Sequence, residues 1–262
     1  MGQMQPQFEN EVKVLSSPFP SEVFPILKKP KRQMISVVSP TYNERENISL
    51  LIQRISQVLS GRKYEIIVVD DNSSDGTIEV AKELAKDHPV KTLVRNGKFG
   101  LASAILKGFE NARGSIMGVI DADLQHPPEY LLKFVNAIEQ GDCDIAIGSR
   151  YINGGGVEGW SKKRLLTSKL AVLLAKPLAK TVRDPMSGFF FLKRSVIEGI
   201  SFNPIGYKLG LEILVKGNYR KLKEIPYCFK PRKNGASKLN KKEILSYFSL
   251  LKDLYSYKFV RL

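Results

Sequence analysis

The sequence predicts an α/β protein with a mainly parallel sheet and helices on both faces. Three observations carry that reading. Short apolar runs recur along the chain, and they lack the alternation of a half-solvated strand, so each suits a strand buried on both faces. Between them lie stretches whose apolar residues repeat at helical spacing. Polar and acidic residues cluster where the runs end, the edge at which open α/β sheets bind ligands.

In order along the chain, residues 1–32 hold five of the 14 prolines and end in the basic run Lys28, Lys29, Pro30, Lys31, Arg32. They keep no period of 2 or 3.6 and read as an N-terminal extension, which can serve as a loose or a docking arm. A catalytic domain is expected over 33–240. Its first strand is Met34–Pro40 (MISVVSP). Asn43 is placed to cap a helix, with Glu46 bonding back to it. Ile48, Leu51, Ile52, Ile55 and Leu59 then mark one helix face, and Gly61 ends it. Tyr64–Asp70 is a second strand, Asp75–Asp87 a helix and Val90–Val94 a third strand. Leu101–Ala112 is a helix closed by Gly114, and Ser115–Asp121 is a fourth strand. Pro127–Gln140 is a helix with both prolines in its first turn. Asp144–Gly148 is a further strand.

Beyond Arg150 the alternation loosens. Ile152–Gly159 has four glycines and reads as a mobile loop that orders on binding. Ser161–Lys180 reads as a basic helix, and Gly188–Lys193 and Glu224–Lys230 read as strands. Residues 241–262 form an amphipathic helix, with Ile244, Tyr247, Phe248, Leu251, Leu254 and Tyr255 at helical spacing. From Lys221 to Leu262 there are 11 Lys and Arg against three Asp and Glu. Such a helix suits a lipid interface or a place against the domain.

The 262 residues carry 41 Lys and Arg against 26 Asp and Glu, a net charge of +15. That excess implies an anionic partner: nucleic acid, a membrane surface or phosphorylated substrates. Zinc spacing, RNP-type aromatics and a helix-turn-helix pattern are missing, which disfavours nucleic acid. The two cysteines, Cys143 and Cys228, suggest a reducing, cytoplasmic compartment. No run of about 18 apolar residues exists to span a bilayer, so any membrane contact is expected to be peripheral.

Asp121 and Asp123 follow an apolar strand directly and can present hard oxygens to Mg²⁺ or Mn²⁺. Asp71, at another strand end, can accept from a nucleobase or ribose, while Ser74 or Asp75 caps the next helix. Tyr42 and Glu44 can meet the base. His126 is expected behind the acidic turn or at the surface rather than as a ligand, and His88 at a helix end. Met186 and Phe189–Phe191 suit the core or an acceptor groove.

PTYNERENI, VVDDNSSDGT, KFGLASAILKGF, DADLQHPPEYL, IGSRY, DPMSGFF and RKNGASKL together resemble family 2 glycosyltransferases of the GT-A fold, in particular the dolichyl-phosphate mannosyltransferases. The resemblance spans roughly residues 34–250. It implies a nucleotide site at Pro40, Tyr42, Glu44, Val69 and Asp71. It implies a diphosphate and metal segment at Asp121, Ala122 and Asp123, with Asp123 and Gln125 foremost as ligands of Mg²⁺ or Mn²⁺. It places Arg150 near the reacting phosphates, Arg164 and Ser168 at the acceptor phosphate, and Arg232 with Lys238 as a basic pair that closes on the donor.

A phosphate monoester is largely ionised near neutral pH, with a second pKa of about 6. It needs no general base to attack an anomeric carbon. The expected reaction is therefore an inverting displacement from a nucleotide-sugar to a polyprenyl phosphate. GDP-mannose is the favoured donor and UDP-glucose the alternative. A basic nucleic-acid-binding protein is the reading from another class. Polymerising relatives carry Gln-x-x-Arg-Trp; the single tryptophan here, Trp160, lies outside any such motif. A membrane surface or a small membrane-anchoring protein would bring the enzyme to its lipid.

Overall fold

The computed structural model describes residues 22–23, 33–232 and 241–260. The strands are β1 (Glu22–Val23), β2 (Ile35–Thr41), β3 (Tyr64–Asp70), β4 (Val90–Val94), β5 (Ile116–Val119), β6 (Ile145–Ser149), β7 (Gly156–Val157), β8 (Phe190–Lys193), β9 (Ser201–Phe202), β10 (Leu222–Pro226) and β11 (Cys228–Phe229). The helices are α1 (Arg45–Val58), α2 (Thr77–Leu84), α3 (Leu101–Asn111), α4 (Leu131–Glu139), α5 (Lys162–Ala175), α6 (Leu209–Lys216) and α7 (Lys241–Val260).

Seven strands form the main sheet in the order β10-β6-β8-β5-β2-β3-β4. All run parallel except β8, which lies antiparallel between β5 and β6. Period-2 alternation sends successive residues to opposite cores. Ile66 and Val68 join the core under α1, α2 and α4, while Ile67 and Val69 join the core under α3, α6 and α7. This is the mainly parallel sheet expected, with one reversed strand. Because β8 runs backwards, the residues just before it lie at the same edge as the carboxyl ends of β2, β3, β5 and β6.

Several local expectations change. The Asn43–Glu46 capping box does not form. Asn43 takes a left-handed backbone at φ 52°, and its Oδ1 accepts from Ser74 N at 3.1 Å. Glu44 caps α1 through its carbonyl, which accepts from Asn47 and Ile48. Helix α2 starts at Thr77, after a left-handed Gly76 at φ 89°. Asp75 accepts from Thr77 N at 3.0 Å, so it still ties down the helix start. A 3-10 turn at Pro128–Tyr130 replaces the first turn of the helix expected from Pro127. The last expected strand divides into β10 and β11.

Within the glycine-rich segment, Gly156 and Val157 form β7, which pairs in parallel with β11. Helix α6 was not legible because it is buried nearly all round, from Leu209 to Leu214, and so shows no stripe. Helix α7 turns Tyr247, Leu250, Leu251 and Leu254 inward but leaves Ile244 and Phe248 exposed, so the expected single face is divided. Apart from β1, the N-terminal extension lies outside the described residues, as do Lys238, Arg261 and Leu262.

Close packing across the sheet fixes its glycines. A Cβ on Gly118 of β5 would lie 2.2 Å from Phe191 of β8. Gly118→Ala is expected to destabilise the protein by about 1–3 kcal/mol, the usual range for overpacking a core. Urea unfolding checks this; an unchanged midpoint would show that the two strands can part freely.

Candidate active site at the carboxyl edge of the sheet

The two loops after β2 and β3 are laced together. Thr41 Oγ1 donates to Asp70 Oδ2 at 2.9 Å, Asn43 N donates to Ser73 Oγ at 2.8 Å, and Glu44 N donates to Thr77 Oγ1 at 2.9 Å. Asp70 accepts from Ser73 as well and is structural. Asp71 lies at this edge but is held by Arg95, whose Nε donates to its Oδ1 at 2.6 Å; Gly100 N donates to its Oδ2 at 3.2 Å. Tyr42 lies half-buried with Lys98 Nζ 4.0 Å above its ring. Pro40 is buried, and the Val69 side chain belongs to the core, so only the backbone of Val69 is left for a ligand.

The turn after β5 carries Asp121, Ala122, Asp123 and Gln125. Leu124 sits in the left-handed region at φ 61°, which bends the turn back. Gln125 N donates to Asp123 Oδ1 at 3.1 Å, and Gln125 Nε2 donates to the Lys230 carbonyl at 3.1 Å. His126 is buried beneath the turn. It stacks on Phe189 with centroids 5.0 Å apart, and its Nδ1 lies 3.5 Å from Asp121 Oδ2. Burial lowers its pKa to about 4, so it is a neutral ring behind the turn rather than a surface residue. Burial, and then the Asp121 charge, raise the Asp123 pKa; Arg232 opposes them. Arg232 Nη2 donates to Asp123 Oδ2 at 2.7 Å, and its Nη1 lies 3.6 Å from Glu44 Oε1. One guanidinium thus ties the acidic turn to the loop after β2.

Arg150 follows β6 directly. Its Nε and Nη2 donate to the two oxygens of Asp184 at 2.7 and 2.8 Å, and its backbone N donates to the same carboxylate at 3.0 Å. Asp184 is fully buried and Arg150 is 9% exposed. Burial works against the Arg150 charge, but the Asp184 hydrogen bonds and carboxylate outweigh it and raise its pKa. Arg164, in the first turn of α5, is exposed and lies 4.3 Å over the Trp160 ring. Burial of part of its side chain, then the charges of Arg150 and Arg232, lower its pKa. Ser168, one turn on, accepts from Tyr151 Oη at 2.8 Å.

Sequence reasoning assigned no role to Asp184, Lys208 or Phe229. Asp184 stood inside the quoted DPMSGFF motif. Lys208 is one of 41 cations and gave no signal. Its Nζ donates to the Met186 carbonyl at 2.7 Å, and burial followed by Arg150 lowers its pKa to about 8.

Among the described residues, no three His, Cys, Asp or Glu side chains converge as a closed metal cage. The donor set at the turn is two carboxylates and one amide. That fits Mg²⁺ or Mn²⁺, which take one or two protein carboxylates and complete their shell with substrate phosphates and water.

Fold and edge together define a GT-A type protein. The glycosyl transferase family 2 profile matches residues 36–201. The chain belongs to that family. It is 50% identical over 216 residues to a dolichol-phosphate mannosyltransferase of Pyrococcus furiosus, covering 81% of this chain and 61% of that protein. The chain therefore spans somewhat under two thirds of that relative's length. It is 39% identical to the dolichol-phosphate mannosyltransferase of Saccharomyces cerevisiae, covering 86% of this chain and 88% of that one. A glucosyl-3-phosphoglycerate synthase of Mycobacterium tuberculosis, solved with Mg²⁺ and UDP, shares the fold at TM-score 0.62 and 21% identity, covering 84% of this chain and 80% of that one.

Removing one partner from a buried ion pair leaves the other charge uncompensated, at a cost of about 3–5 kcal/mol. Asp184→Asn is expected to cost that order in urea unfolding. Asp142→Asn, which breaks the exposed Lys223 pair, should cost less than about 1 kcal/mol. Equal costs would show that the Arg150 charge is solvated after all.

Proposed function

We propose that this chain transfers a hexose from a nucleotide-sugar to dolichyl or another polyprenyl phosphate, with inversion at the anomeric carbon. Mannose from GDP-mannose is the favoured donor, and glucose from UDP-glucose is the alternative. The observation that carries the reading is the meeting of a carboxylate turn with three arginines at one sheet edge. Arg232 touches Asp123, and Arg164 feels the charges of Arg150, Arg232 and Asp123. Two phosphorylated substrates repel each other, and such a ring of cations lets them approach. The likeness to dolichol-phosphate mannosyltransferases over most of the chain supports the acceptor class.

In this reading Tyr42, Glu44 and Asp71, with the backbone at Pro40 and Val69, hold the nucleotide. Asp121, Asp123 and Gln125 would hold Mg²⁺ or Mn²⁺, and Ala122 would contact the donor. The metal supplies charge stabilisation to the departing nucleotide. Arg232 swings with Lys238 onto the donor. Arg164 and Ser168 orient the acceptor phosphate, and Arg150 lies between the two substrates. The acceptor oxygen is already ionised and attacks directly, so positioning and charge carry the rate. No nucleic acid takes part.

The expected test is a transfer assay with a short polyprenyl phosphate, Mg²⁺ or Mn²⁺, and GDP-mannose in competition with UDP-glucose. Mannosyl product should dominate, and Asp123→Ala should lower the rate by about 100-fold or more. A rate that survives both Asp123→Ala and a chelator would sink the metal assignment.

Among the described residues, no helix is long and apolar enough to cross a membrane. The surface offers another route to lipid. On α5, Leu166, Leu170 and Leu173 share one face and are 70%, 55% and 64% exposed. On α7, Ile244, Leu245 and Phe248 are exposed. The two helices are tied together: Tyr247 Oη donates to the Ala171 carbonyl at 2.6 Å, and Tyr255 Oη donates to the Leu174 carbonyl at 2.9 Å. Lys162, Lys163 and Lys169 are exposed on the same helix. Exposed apolar residues accompanied by lysines suit the surface of an anionic bilayer. The protein would then sit peripherally on the cytoplasmic side, with or without a small anchoring partner.

Deleting α7 would open the core, so point substitutions are the cleaner test. Leu170→Glu combined with Leu173→Glu should reduce co-sedimentation with anionic liposomes by about tenfold or more. Unchanged binding would turn the search to an anchoring partner.

A further inference from the structure

Two arginines of the proposed acceptor site are held in opposite ways. Arg150 is gripped by a carboxylate, which takes two of its five guanidinium N–H donors and offsets its charge. Arg164 has no carboxylate within 4 Å among the described residues; its side chain meets aromatic rings instead. The Arg164 Cζ lies 4.3 Å from the Trp160 centroid and 5.8 Å from that of Phe229. The Arg150 Cζ lies 5.4 Å from Trp160 and 5.8 Å from Phe229. The two rings therefore touch both guanidiniums, and their centroids are 5.4 Å apart in an edge-to-face pair.

The backbone fixes this arrangement. Strand β11 ends on Phe229, and its partner β7 leads through Glu158 to Trp160. Glu158 N donates to the Phe229 carbonyl at 2.9 Å. Gly159 makes the turn with φ 69°, and Ser161 then caps α5 by accepting from Arg164 N at 3.2 Å. Ring and arginine are thus set on one short rigid path. The Trp160 Nε1 is buried without a hydrogen-bond partner among the described residues.

A carboxylate beside Arg164 would cancel its charge and occupy its fork. A ring face attracts the cation through its quadrupole, carries no net charge and takes none of the N–H donors. We propose that Trp160, backed by Phe229, is a positioning residue that holds Arg164 in place with its N–H donors open to the phosphate monoester of the acceptor. This deepens the reading under Proposed function and rests on its assignment of Arg164.

The test uses the full chain with a short water-soluble isoprenyl phosphate. Trp160→Leu should raise the acceptor KM about tenfold and leave the donor KM within about twofold; Trp160→Phe, which keeps a ring face, should recover most of the loss. Equal losses for donor and acceptor, or a Leu variant as good as the Phe variant, would overturn the proposal. Trp160 is the chain's single tryptophan, so its fluorescence gives a second readout. Isoprenyl phosphate should change that emission in the wild type and not in Arg164→Gln. If the wild type transfers no sugar to any isoprenyl phosphate, the function reading falls, and the fluorescence decides this proposal alone. A response that persists in Arg164→Gln would refute it.

Discussion

The Arg150–Asp184 ion pair is the constraint around which the site is organised. Neither charge could be buried alone at this depth. Together they join the carboxyl end of β6 to the segment leading into β8, and so they hold the two halves of the edge at one spacing. Asp184 N in turn donates to Glu224 Oε1 at 3.1 Å, which brings β10 into the same arrangement.

The remaining cations are held by different means. Arg232 bridges two carboxylates on different loops, Arg164 lies on aromatic rings, and Lys208 leans on a backbone carbonyl. These partners differ in strength and in what they leave available. A ligand phosphate can compete for Arg232 and Arg164 more readily than for Arg150, whose partner is bidentate and dry. The edge therefore combines one fixed charge with others that can turn to a substrate.

Most of the sheet was legible in the sequence because its strands are uninterrupted apolar runs between clear breakers. Tyr64–Asp70 and Val90–Val94 have the same bounds in both readings. Helix α6 was missed because burial on all sides removes the polar face that periodicity needs. The capping box at Asn43 failed because a tertiary partner, Ser74, competed for the side chain. The candidate site residues were legible as clusters at strand ends and through the family resemblance. Their pairings were not, since Arg150 with Asp184 and Asp123 with Arg232 join residues 34 and 109 positions apart. No local pattern records contacts of that range.

The reversed strand β8 has a consequence for how the molecule is made. Strands β2 to β5 come from one continuous stretch and can pair as they emerge from the ribosome. Strand β6, and β10 at the sheet's edge beyond it, cannot join them until β8 has inserted between β5 and β6. The β2–β5 half is thus complete in the chain before the β6–β10 half, and insertion of one four-residue strand commits the protein to a joined sheet.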